Sequence, residues 1–121
     1  MQGKRVFVSG GAGVIGRELV PRLLAAGAIP IVGDLKPRPA HFGPGVIYRQ
    51  GDLNAMTEAE FHLHAPEVFI HLAATFERST ESYEFWEENF LHNVRLSHHL
   101  MTLAKDCPSL RRVVFASSYL I

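Results

Sequence analysis

The chain reads Gly10-Gly11-Ala12-Gly13-Val14-Ile15-Gly16 directly after a short apolar run and at the opening of a segment with helical period. Glycines in that setting have a definite chemistry. They permit a tight turn and let backbone N–H groups approach a pyrophosphate, while the start of the following helix favours the negative charge. Two spacings overlap: Gly11, Gly13 and Gly16 spell the common dinucleotide fingerprint, and Gly10, Gly13 and Gly16 a wider one. The last glycine lets the helix pack close to the strand. Asp34 stands eighteen residues beyond Gly16, about where the fingerprint wants an acid to accept from the adenine-ribose hydroxyls. A carboxylate there repels a 2′-phosphate, so it favours NAD over NADP, although Lys36 and Arg38 lie close enough to complicate the choice. The bland alternatives are a glycine turn without a ligand and an aspartate that starts a turn. Glycine turn and acid support each other.

Seven histidines raise the question of a metal. The spacing argues against one: His62 and His64, two apart, and His98 and His99, adjacent, point apart on a helix. No Cys or paired carboxylate completes a ligand set. His71 is expected to pack at the end of a buried strand. Glu77, Glu81, Glu84, Glu87 and Glu88 read as a solvated face.

The elements that must position these residues alternate. Strands are expected at Arg5–Ser9, Ile29–Gly33, Val46–Arg49, Val68–Leu72 and Val113–Ala116. A first helix carries Ile15, Leu19, Val20, Leu23 and Leu24 on one face and stops at Gly27, with Pro21 expected to bend it. Lys36 to Gly45 reads as an irregular surface loop. Thr57 caps a brief helix with Glu58 and Glu60 in its first turn. The longest periodic segment, about Glu81 to Lys105, sets Trp86, Phe90, Val94, Ser97, Met101 and Ala104 on one side. Such alternation implies parallel strands, right-handed crossovers and helices on both faces of the sheet. The expected fold is α/β, a doubly wound parallel sheet of order 3-2-1-4-5. The cofactor motifs then sit at the C-terminal ends of the strands.

At this point the chain resembles the extended short-chain dehydrogenases/reductases, specifically their NAD-dependent epimerase/dehydratase group. Val8 to Gly16 looks like the family's opening, and four further stretches follow in order: Gly51-Asp52-Leu53, His71-Leu72-Ala73-Ala74, Asn93-Val94 and Val114-Phe115-Ala116-Ser117-Ser118. The resemblance implies that Gly10, Gly13 and Gly16, with Val14 and Ile15, serve the pyrophosphate of NAD. Asp34 would serve the ribose, and Asp52 and Leu53 the adenine. Leu72, Ala73 and Ala74 would line the dinucleotide, with Asn93 in support. Ser118 matches the catalytic hydroxyl, with Ser117 as its rival. The family's acid/base tyrosine, lowered in pKa by a lysine four residues later, has no match in these residues: Tyr83 has Glu87 four on, and Tyr119 has two residues after it.

The resemblance therefore implies an incomplete N-terminal Rossmann-type domain over residues 1–121, truncated after the fifth strand, of an enzyme working by hydride transfer at a carbon of a nucleotide sugar. The long helix would build half of a homodimer interface. The alternative is a binding module that holds a dinucleotide without turnover. Composition is compatible with either. Twelve basic and twelve acidic residues leave no surplus to attract nucleic acid or an anionic membrane. One cysteine, Cys107, cannot form an internal disulfide. The polar start is unlike a signal peptide, no run approaches the length of a membrane span, and a cytoplasmic location is expected.

Overall fold

The strand sequences Val6-Phe7-Val8, Ile31-Val32 and Phe69-Ile70 are apolar at consecutive positions, the pattern of strands covered on both faces. The computed structural model, which describes residues 2–73 and 94–116, bears this out. Its elements are β1 (Arg5–Ser9), α1 (Val14–Ala25), β2 (Ile29–Asp34), β3 (Ile47–Gln50), a 3-10 turn (Leu53–Ala55), α2 (Glu58–Leu63), β4 (Val68–His71), α3 (Leu96–Lys105) and β5 (Arg112–Phe115). The strands form one parallel sheet in the order β3-β2-β1-β4-β5, as expected.

Alternate side chains of the strands feed two cores. Phe7, Ile31 and Phe69 join Phe61 of α2 and Leu96, Leu100 and Leu103 of α3. Phe7, Phe61 and Phe69 meet with ring centroids 5.3 to 5.9 Å apart, in tilted and edge-on pairs. Val6, Val8, Val32 and Ile70 face the other way, against Val20 and Leu23 of α1.

Several expectations need correction. β4 ends at His71, one residue earlier than expected, although the Leu72 N–H still bonds Ser9 O at 2.9 Å. β3 starts one residue later than expected, and β5 both starts and ends one residue earlier. The buried face of α3 is Leu96, Leu100, Leu103 and Ala104, while Val94 is exposed. The leucines centre the buried stripe. Ala104 is buried with them and Ser97 and Met101 lie half-buried at its edge, so of the described residues on the expected face only Val94 falls outside it. Trp86 and Phe90 lie outside the described residues. The segment from Lys36 to Gly45 is irregular but not merely surface: Phe42 is buried in the α1-side core.

Helix α1 runs unbroken through Pro21. Proline has no N–H for the carbonyl of Arg17, four residues back. The ring of His41 supplies one, with Nε2 3.0 Å from Arg17 O. The loop thus repairs the bond that the helix lacks.

Candidate functional site

The glycine turn connects the C-terminal end of β1 to α1, beside the point where strand order reverses between β1 and β4. Its glycines have different reasons to be there. Gly10 has φ +74°, and a Cβ on it would stand 2.6 Å from Ala73 N and 2.7 Å from Ala73 Cα. A Cβ on Gly16 would run into the backbone of Gly11, so that residue allows the helix to close on the turn. Gly13 is different: with φ −79° and ψ −173° its backbone suits any residue. A Cβ there would meet only Gly10 O, at 3.3 Å. Conformation does not demand glycine at 13, and a Cβ there would need Gly10 O to give by only a few tenths of an ångström. At the start of α1 the first N–H groups have no carbonyl to bond. Gly13 offers no side-chain cap, and the first turn holds no acid. Val14 and Ile15 are 75% and 61% exposed.

Asp34, at the end of β2, is drawn to this turn. Its Oδ2 accepts from Ala12 N at 2.9 Å and its Oδ1 from Lys36 N at 2.9 Å. A carboxylate has about four acceptor positions, so two remain for other donors. The Arg17 Nε bonds Ala12 O at 3.1 Å and braces the turn from the helix side. Tyr48 donates to Lys36 O at 2.6 Å. Its phenol is pushed up to about 12, first by burial and then by the charge of Asp34. Arg38 spends its guanidinium on the carbonyls of Val46 (2.8 Å), Phe42 (3.4 Å) and Gly43.

On the other side of Gly10 stand Leu72 and Ala73, both partly buried. Asp52 caps the 3-10 turn, accepting from Asn54 N at 2.9 Å. Leu53 is buried beneath Gly33, on which a Cβ would come within 2.6 Å of the leucine methyl. The structure thus brings Gly10, Gly13, Val14, Ile15, Gly16, Asp34, Leu72 and Ala73 to one end of the sheet, with Asp52 and Leu53 following β3 at that same end. Ala74, Asn93, Ser117 and Ser118 lie outside the described residues. Sequence reasoning passed over Arg17 and Ser9. The available signal was position: one follows the last glycine and the other precedes the first. Among the described residues, no three potential metal ligands come together, and no helix is long and apolar enough to cross a membrane.

The arrangement fits a dinucleotide: an open, uncapped helix start for a diphosphate, and an acid with spare acceptor capacity beside it. Residues 6–121 match the sequence model for Epimerase, the NAD dependent epimerase/dehydratase family. The chain belongs to that family. Among solved structures, it is similar to the epimerase Mth375 of Methanothermobacter thermautotrophicus, with 27% identity and a TM-score of 0.81 over 98% of this chain and 36% of that one. Uronate dehydrogenase from Agrobacterium tumefaciens is 28% identical, with a TM-score of 0.74 over 98% of this chain and 42% of its own. MoeE5, solved with UDP-glucuronic acid and NAD, is 29% identical, with a TM-score of 0.78 over 94% of this chain and 36% of its own. The chain therefore spans about two fifths of the length of these structures. A comparison with curated proteins finds no match.

Proposed function

We propose that this chain is the NAD-binding part of an enzyme that works on a nucleotide sugar. The observation that carries the reading is the 2.9 Å bond from Ala12 N to Asp34 Oδ2. It sets a ribose acceptor directly against a turn that suits a pyrophosphate, at the sheet's switch point. Gly10, Gly13 and the N–H groups of Val14 and Ile15 receive the diphosphate, with Gly16 letting α1 close behind them. Asp34 accepts from the ribose hydroxyls. Asp52 and Leu53 flank the adenine, and Leu72, Ala73 and Ala74 line the dinucleotide with Asn93 in support. Ser118 orients the reacting oxygen of the substrate, and Ser117 is the neighbour that could replace it. Bound here, NAD supplies a hydride acceptor. The likeness to MoeE5 supports a nucleotide sugar as substrate class, and family membership supports epimerase or dehydratase chemistry. A homodimer and a cytoplasmic location complete the reading.

No tyrosine in the 121 residues has a lysine four positions later. The second reading is a module that binds a dinucleotide without turnover, and a nucleotide-sugar assay with NAD separates the two. Calorimetric titration with NAD and NADP tests the shared claim. NAD binds more tightly, and Asp34→Ala weakens it about tenfold or more, the scale of a lost charge-assisted hydrogen bond. Tighter NADP binding that ignores Asp34→Ala would overturn the reading.

A further inference from the structure

The two backbone segments expected to flank the dinucleotide are joined beneath the surface by a hydrogen-bonded chain that the cofactor reading does not use. Ser9 is the residue before Gly10, and His71 the residue before Leu72 and Ala73. Ser9 is fully buried and His71 is 3% exposed. The Ser9 Oγ lies 2.5 Å from His71 Nδ1, and His71 Nε2 lies 2.9 Å from Ser97 Oγ on α3. The Ser9 Oγ also accepts from Leu72 N at 3.1 Å and Ala73 N at 3.4 Å.

These contacts assign the protons. A serine oxygen that accepts from two backbone N–H groups has its own proton to give, and the near acceptor is Nδ1. The imidazole proton is then on Nε2, donated to Ser97. A second proton on His71 would turn Nδ1 into a donor aimed at Ser9. The Ser9 hydroxyl proton would have no partner in a site closed to water. Around the ring stand Ser9 from β1, Phe69 from β4, Phe115 from β5 and Ser97 from α3. Among the described residues none of these carries a charge, so nothing compensates a cation there. Burial accordingly holds the His71 imidazole below its ordinary range.

We propose that His71 is a positioning residue of the dinucleotide site. As a neutral ring protonated at Nε2, it fixes the glycine turn against the exit of β4, and it releases that spacing when it takes up a second proton. The close approach of Gly10 to Ala73 shows how little slack that junction has. The proposal rests on the NAD reading for its consequence and on the hydrogen-bond chain for its structure.

Both halves are measurable on the 121-residue chain. Nitrogen-15 NMR of the imidazoles, with His71 assigned by the signal lost in His71→Gln, reports tautomer and titration without any cofactor. The expected result is the Nε2–H tautomer, still neutral where a free imidazole, with pKa about 6.5, is half protonated. In NAD titrations, the affinity of the unaltered chain falls in acid with the same midpoint as the His71 signal. Ser9→Ala weakens NAD about tenfold at neutral pH, and His71→Gln binds more weakly without the acid step. Ser97→Ala, which spares the turn, shifts the titration of His71 while changing neutral-pH affinity less than Ser9→Ala. An Nδ1–H tautomer, or titration at the ordinary value, overturns the proposal. So does a Ser9→Ala variant that folds and binds NAD unchanged. A chain with the expected tautomer that binds no dinucleotide at any pH instead overturns the cofactor reading, and the positioning role with it.

Discussion

Single residues here carry opposed demands of conformation, space and charge. At Gly10, φ +74° and the backbone of Ala73 at 2.6 Å act together. The left-handed conformation alone costs a non-glycine residue about 1–2 kcal/mol, and the clash adds to it. Gly10→Ala is therefore expected to destabilise the fold by at least about 2 kcal/mol in urea denaturation. Ala65 is the converse. It follows α2 with φ +47° and is a residue with a Cβ where glycine is usual. Ala65→Gly should stabilise by roughly 0.5–1 kcal/mol, because relief of strain exceeds the added chain entropy. Glu67 ties stability to pH. The backbone N–H of Arg5 holds its carboxyl below the usual range, helped by Lys4 and opposed by desolvation. A carboxylate lowered in the folded state contributes stability that is complete above its unfolded value of about 4.3 and is lost as pH falls through the folded one. Glu67→Gln should flatten that part of the acid denaturation curve.

At the scale of elements, the loop after β2 is bound to helix α1 more closely than its composition implies. His41 completes the hydrogen bond that Pro21 leaves open at Arg17 O, and Arg38 ties the loop to three of its own carbonyls. His41→Ala should cost about 1 kcal/mol, the usual net worth of a hydrogen bond. The cost should shrink in a Pro21→Ala background, where the helix supplies its own N–H. A double-mutant cycle measures that coupling. Arg38 commits three of its five N–H donors to those carbonyls, so the preference for NAD over NADP rests on the Asp34 carboxylate. Strands β1 to β5 and the glycine turn could be read from sequence because local periodicity and turn chemistry dictate them, and their order because the turn belongs to the doubly wound dinucleotide-binding pattern. The centring of the α3 face on its leucines, the His41 repair and the burial of Phe42 could not. Each depends on a partner distant in sequence. Asp34 was legible as an acid at the right distance, while its bond to Ala12 needed the fold.

At the scale of the whole molecule, five parallel strands separate two cores and gather the candidate site at one end. Among the described residues β5 pairs only with β4, and Val113, Val114 and Phe115 are 41%, 46% and 51% exposed. An apolar, β-branched edge of this kind is a template for pairing. The 121-residue chain is expected to self-associate in size-exclusion chromatography with light scattering, and to show no turnover with nucleotide sugars. A clean monomer at high concentration would contradict the first expectation, and turnover the second. The central claim is that Gly10 and Gly16 let the turn fold while Gly13 leaves room for a dinucleotide, and Gly13 tests it most directly. Its backbone is ordinary, and a Cβ there meets one neighbour, Gly10 O, at 3.3 Å. Gly13→Ala should lower stability by under about 1 kcal/mol, the usual penalty for alanine at a helix N-cap. The decisive measurement is calorimetric NAD titration of the unaltered chain and Gly13→Ala, each with a denaturation curve. The account predicts near-equal stability and at least a tenfold loss of NAD affinity in the variant; equal affinity for NAD in both would contradict it.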